Sequence, residues 1–296
     1  MEENQSAPQE EPQSTPKVDA QVFVKSRSKF PTVGDVFAMF GIFIAAELIA
    51  TFAVILLGLA TTHGEAQLSP DATGKMLAIS SFVAYVLTFG GILIYRSARG
   101  GSGTVVRFSL RGLNPILILW GFLLLSAVGV VIEPLLSLLP SPAVDALGTG
   151  VWTMAAMIIF APIFEELICR GAVLESLRAK YGVWIAWFVS ALFFGAIHLQ
   201  PQLVVNAFFI GLIFAFLYIR TNSLWIVMIL HAMNNAVAYI AMLMGYSNVV
   251  LSDLITNRLL YMFIFGVAVV VCVISSWMIY RTLRRLDEEE KNRVTV

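Results

Sequence analysis

Three short polar clusters interrupt the apolar second half of this 296-residue chain. They are Phe164-Glu165-Glu166-Leu167-Ile168-Cys169-Arg170-Gly171, then Phe194-Gly195-Ala196-Ile197-His198, then His231-Ala232-Met233-Asn234-Asn235. Residues four apart share one face of a helix, so Glu166 and Arg170 can pair, while Glu165, about 100° around, stays free to face something else. His231 and Asn235 have the same spacing and project two hydrogen-bonding groups from one face of a later segment. Hydrolysis of a peptide bond needs a base to activate water, a group to orient it, and donors aimed at the carbonyl oxygen as it becomes an oxyanion. Glu165 with His198 can hold and deprotonate a water, and His231 with Asn235 can supply the donors. This chemistry requires no serine or cysteine nucleophile. Ser190 and Cys169 have no histidine at a telling spacing and read as packing residues.

Two rival readings use the same residues. Two acids and two histidines are also a zinc or iron ligand set, although there is no HExxH motif and Arg170 would compete with a cation for Glu166. The expectation is therefore no cofactor, with a divalent metal as the alternative. The bland reading places Glu165, Glu166 and Arg170 at a helix end, snorkelling into headgroups, with the histidines and Asn235 serving helix adhesion. Against it, two of only three histidines fall in apolar spans close to the acid pair. Ionisable groups inside such spans are functional candidates by default.

The elements that must position these groups are transmembrane helices. The chain is 58% hydrophobic and 13% charged, with a mean hydropathy of +0.83, against roughly a quarter charged in a soluble domain. Apolar runs of about 20 residues, enough to cross about 30 Å of hydrocarbon, fall near 33–60, 76–96, 115–139, 150–168, 183–199, 202–220, 224–244 and 259–281. The expected fold is all-α and polytopic, with about eight transmembrane helices and an active site between helices four to seven. The boundary between the fifth and sixth, at Gln200-Pro201-Gln202, is the most open to change, by a re-entrant turn. Residues 1–30 are expected to be a disordered polar tail, 31–283 the helical domain and 284–296 a charged tail. No cleavable signal peptide is expected.

Charge distribution orients this arrangement. The chain carries 19 basic and 19 acidic residues, which gives no basic surface for nucleic acid. Eight crossings put every Lys and Arg except Lys75 and Arg258 on the side of the two termini, a division of 17 against 2 that predicts both termini in the cytoplasm. The stretch Ser97–Gly112 then reads as a cytoplasmic loop and Asp287–Glu290 as a solvated tail. Glu165, near the cytoplasmic end of its predicted span, suggests substrate entry from that side. Cys169 and Cys272 read as reduced, packed thiols. Glu47 and Glu133 are further intramembrane acids, Glu133 beside Pro134 reading as a cap or interface residue; His63 reads as solvated in an external loop. No internal repeat of the kind transporters carry is evident.

The motifs together resemble a known family. Glu165-Glu166 with Arg170 (EExxxR), Phe194 with His198 (FxxxH) and His231 with Asn235 (HxxxN) stand in the order that defines the CAAX-protease and bacteriocin-processing (CPBP, or Abi) intramembrane proteases. The stretches Phe209-Ile210-Gly211-Leu212 through Tyr218 and Thr221-Asn222-Ser223-Leu224-Trp225 resemble that family's connection into its third motif, and the likeness covers about 118–245. It implies a glutamic endopeptidase with Glu165 as base, His198 assisting, His231 and Asn235 as the oxyanion hole, and Glu166 and Arg170 in support. The implied partner is a peptide or membrane-associated protein, prenylated or not, in a bilayer, with a bacterial plasma membrane the simplest home. The family also includes bacteriocin-immunity proteins and scaffolds. The alternatives are thus a zinc-dependent protease using the same residues, or a non-catalytic scaffold of the same fold.

Overall fold

The computed structural model describes residues 30–61, 70–101, 103–140, 148–246 and 250–294, so the N-terminal segment 1–29 and His63 lie outside the described residues. The described chain is helical, joined by short connections. Among the described residues, seven helices are long and apolar enough to cross a membrane. We number the main helices α1 (Val33–Thr61), α2 (Pro70–Ala98), α3 (Pro115–Leu136), α4 (Val151–Tyr181), α5 (Val183–Ala196), α6 (Pro201–Thr221), α7 (Leu224–Leu243) and α8 (Arg258–Val294). Their outward faces are apolar, with Phe52, Leu57, Val270 and Trp277 more than half exposed, as lipid contact requires. The protein is an all-α integral membrane protein.

Local chemistry sets the helix limits. At the start of α1, the Thr32 amide and hydroxyl donate to Asp35 Oδ2 at 2.7 and 2.9 Å, and the Asp35 amide donates back to Thr32 Oγ1 at 3.1 Å, a reciprocal cap. Asn114 caps α3 by accepting from Ile116 and Leu117, with Pro115 in the first turn. Gly182, at φ +84°, separates α4 from α5, and Asn222, at φ +49°, ends α6 in the left-handed conformation. α1 pairs with α2, α5 with α6 and α3 with α8, while α7 packs against α4 in the interior.

The fourth and fifth helices differ from the sequence expectation. The fourth span does not end at 168 but runs through Tyr181, because its charged groups find partners inside the protein. Arg170 bonds Glu166, and Glu175 accepts from Tyr218, Arg107 and Arg178 at 3.0, 3.1 and 3.4 Å. The fifth is only 14 residues, about 21 Å, short of the hydrocarbon thickness. Residues 197–200 form the turn into α6 instead of extending α5. Among the described residues there are thus seven helices of spanning length and one short helix where eight full crossings are expected.

The connections are also more structured than their composition suggests. Phe108 bridges Ser223, and the Leu224 amide donates to the Arg107 carbonyl at 2.8 Å, so the 103–112 segment docks on the α6–α7 junction. A Cβ on Gly171 would lie 2.9 Å from the Val105 carbonyl oxygen, so this docking needs glycine there. Asp287 and Glu290, expected in a solvated tail, continue α8 and pair with Arg111, with Asp287 also bonding Arg220 at 2.8 Å. Glu133 is buried, accepts from the Ser252 amide at 2.9 Å and takes a long contact from the Tyr261 hydroxyl at 3.4 Å. It joins α3 to the turn before α8.

Candidate active site

The two acids sit in the middle of the 31-residue α4, fourteen residues after Val151, not near a helix end as the shorter span implied. They occupy a turn of α-helix, Ala161–Glu166, between two π-helical stretches, Ala156–Phe160 and Leu167–Leu174. Such wide turns inside helices frequently accompany functional sites. The side chains of Glu166 and Arg170 are completely buried, which excludes the snorkelling reading. Arg170 Nη1 donates to Glu166 Oε1 at 3.0 Å, and Nη2 donates to the Gly211 carbonyl of α6, also at 3.0 Å. Its guanidinium carbon lies 4.3 Å from the centre of the Phe194 ring and 5.4 Å from that of Phe214. Burying the charge is tolerable because a carboxylate, a carbonyl and two ring faces replace water.

Glu166 is shared. Its Oε1 also lies 3.0 Å from His231 Nδ1 of α7. A carboxylate paired with arginine only accepts, so the donor in this contact is the Nδ1–H of His231. His198 is fixed in the same way, its Nδ1 lying 2.8 Å from the Phe194 carbonyl, an acceptor only. Both rings contact the Phe194 ring edge-on, at 5.1 and 5.5 Å between centroids. Phe194 therefore supports Arg170, His198 and His231 at once.

Glu165 faces the other way and is bonded differently. Its Oε1 accepts from the Tyr85 hydroxyl of α2 at 2.7 Å. Its Oε2 is buried with no hydrogen-bond partner, and faces His198 Nε2 at 3.9 Å and His231 Nε2 at 3.8 Å. Glu166 Oε2 also lacks a hydrogen-bond partner, so what sets Glu165 Oε2 apart is that it faces two imidazole nitrogens. Both distances are too long for direct hydrogen bonds.

Asn235, the sixth expected residue, lies one turn beyond His231 on α7. One of its amide N–H groups donates to the Met157 carbonyl, in the first π-helical stretch, at 2.8 Å. Among the described residues no hydrogen bond joins it to Glu165, His198 or His231. Five of the six expected residues thus form one connected cluster, while Asn235 anchors α7 to the wide turn and keeps its second N–H. Ser190 donates to the Cys169 carbonyl at 3.1 Å and Cys169 is buried, so both pack as expected. Glu47 accepts no hydrogen bond among the described residues.

Ligand atoms around tetrahedral zinc at about 2.1 Å sit about 3.4 Å apart, closer than the 3.8–3.9 Å here. Among the described residues no group of three or more His, Cys, Asp or Glu side chains is placed to hold a metal ion. The side chains in this arrangement do not fit that role.

Sequence reading missed two members. Tyr85 lies in an ordinary apolar span, with no pattern to mark it. Phe194 was visible only as a letter in FxxxH; its place under Arg170 is a product of packing.

Comparison with known proteins bears on residues 147–237, which match the type II CAAX prenyl endopeptidase Rce1-like family model. The chain is 33% identical over 85 residues to "Putative membrane peptidase YdiL" of Bacillus subtilis (strain 168), covering 29% of this chain and 35% of that protein. It is 30% identical over 115 residues to "Uncharacterized 24.3 kDa protein" of Escherichia coli, covering 37% of this chain and 52% of that protein. The aligned parts thus span about a third and about half of these relatives. No solved structure matches. The region that matches contains all three motifs, in order and with five of their side chains in one cluster, and this part of the chain is similar to the type II CAAX prenyl endopeptidase Rce1-like family.

Proposed function

We propose that this protein is a CAAX-type membrane endopeptidase that hydrolyses a peptide bond with water activated by Glu165. The observation that carries the reading is Glu165 Oε2, buried, unpartnered and facing two imidazole Nε2 atoms while the other carboxylate oxygen is tied down. With Nδ1 of His198 protonated, the Nε2 of the neutral ring is an acceptor. A water between Glu165 Oε2 and His198 Nε2 can then donate one hydrogen to each, which leaves an oxygen lone pair for the scissile carbonyl carbon.

As the C–O bond forms, the water proton passes to Glu165 and the carbonyl π electrons move to oxygen. Collapse of the tetrahedral intermediate breaks the C–N bond, and Glu165 returns the proton to the departing amine. His231 and the Asn235 N–H not used by Met157 are the donors toward the oxyanion. His231 donates from Nε2 when its ring carries both protons. Glu166 and Arg170 hold His231 in place. The substrate is a peptide or membrane-associated protein and the home is a plasma membrane; both termini are cytoplasmic where α5, though short, carries the chain across, the condition under which the 17-to-2 division of basic residues holds.

The test is mass-spectrometric detection of cleavage of a peptide pool, prenylated and unprenylated, by detergent-purified protein. Wild type is compared with Glu165→Gln and with chelator-treated wild type. The glutamate mechanism expects at least about 1,000-fold loss in the variant and no loss on chelation. Chelator sensitivity reversed by added metal would transfer Glu165, His198 and His231 to ligand roles. Absence of cleavage, with partner binding kept by Glu165→Gln, would establish a scaffold.

A further inference from the structure

We propose that Tyr85 is a positioning residue of this site, reaching Glu165 from outside the region that matches the family. The inference rests on the reading of Glu165 as the base. Tyr85 belongs to α2, while the matched region comprises most of α4 through α7 and begins 62 residues later.

The torsion that turns a glutamate carboxylate about its last bond is soft, with no sharply staggered wells. Left to itself, the Glu165 carboxylate could turn either oxygen toward the histidines or lie edge-on to them. The Tyr85 hydroxyl removes that freedom by donating to Oε1 at 2.7 Å, short enough for a charge-assisted bond. With Oε1 held, Oε2 is the oxygen presented to His198 and His231. Tyr85 is itself held: its ring stacks on Phe164, the residue before Glu165, at 5.7 Å between centroids and 4° between planes. Phe82, one turn earlier on α2, meets the edge of the same Phe164 ring at 5.6 Å. Donor and acceptor therefore rest on one aromatic stack and keep register if α2 and α4 shift slightly.

Tyr85 also lines a cavity of about 120 Å³ between α2 and the first part of α4, with Ser81, Thr153 and Met157. Met157 carries the carbonyl that holds Asn235. The α2 side of α4 thus bears on both the base and the oxyanion side of the proposed reaction.

The test removes one oxygen atom. Tyr85→Phe keeps the ring and its stack on Phe164, so the fold is expected to survive. On the peptide that wild type cleaves fastest, kcat should fall about 10- to 100-fold with KM unchanged within about twofold, as for a misaligned reacting group. Replacing Tyr85 with 4-aminophenylalanine restores a donor and should recover most of that loss; 4-methylphenylalanine, of similar size without a donor, should not. In a Glu165→Gln background, Tyr85→Phe should cause no further loss. An independent readout is the infrared carboxylate band of Glu165, identified as the band missing in Glu165→Gln. It should shift in Tyr85→Phe and stay fixed in Tyr239→Phe, whose hydroxyl bonds the Thr149 carbonyl instead.

A band unmoved by Tyr85→Phe overturns the inference whether or not the protein is active. So does unchanged kcat in Tyr85→Phe when Glu165→Gln is inactive, or rescue by 4-methylphenylalanine. Cleavage that survives Glu165→Gln overturns instead the reading of Glu165 as the base.

Discussion

Arg170 offers the sharpest test of how the cluster is held. Arg170→Met keeps much of the side-chain volume between Phe194 and Phe214 but removes the guanidinium paired with Glu166. Glu166 is then an uncompensated carboxylate in a site with no solvent contact, and the Gly211 carbonyl loses its donor as well. Removing one partner of a buried pair costs about 3–5 kcal/mol, a 100- to several-thousand-fold change in the unfolding constant. Glu166→Gln should cost less, about 1–3 kcal/mol, since the amide oxygen still accepts from Arg170, which also keeps Gly211 and the two rings. The double variant Arg170→Met with Glu166→Gln removes both charges and should be more stable than Arg170→Met alone. Unfolding by dodecyl sulfate in mixed micelles, followed by tryptophan fluorescence, ranks the three. A cost below about 1 kcal/mol for Arg170→Met, or a double variant weaker than that single one, would refute the claim that charge compensation holds this cluster together.

Gly171→Ala should destabilise by about 1–3 kcal/mol, because the new Cβ would meet the Val105 carbonyl at 2.9 Å and Val106 Cγ1 at 3.3 Å. The same variant should be cut faster by protease within 103–108, read by mass spectrometry of the fragments. Asp287→Asn removes the pairs with Arg111 and Arg220, whose side chains are 21% and 33% exposed, so its cost should stay below about 1 kcal/mol. That cost should also vanish in 1 M salt, where the screening length is about 3 Å; melting temperatures at low and high salt decide it.

Much of the site was legible because ionisable residues in apolar helices are conspicuous. Glu165, Glu166, Arg170, His198 and His231 stand out in any hydropathy reading, and helical spacing already pairs Glu166 with Arg170. What could not be read depends on neighbours distant in sequence. Tyr85 resembles any aromatic in an apolar span until α2 packs on α4. The charges from Arg170 to Lys180 look like a helix end unless one knows that Tyr218 and Arg107 reach Glu175. Likewise the apolar run 183–199 does not reveal that its last three residues turn. The π-helical stretches leave no signal either, since a widened turn is selected by the packing around it.

Glu165 and Glu166 show how adjacent identical residues come to do different work. One residue of helix turns them about 100° apart, so each meets a different set of neighbours. Glu166 points where Arg170 and His231 both bond one of its oxygens, and its charge is spent on holding a cation and an imidazole in place. Glu165 points toward α2 and the gap between the histidines, where a single tyrosine donor leaves its second oxygen without a protein partner. The glutamine variants should therefore separate the roles. At Glu166 the loss should appear chiefly as stability, because a charge partner goes missing. At Glu165 it should appear as activity with the fold nearly intact, because the oxygen removed from service holds nothing else together.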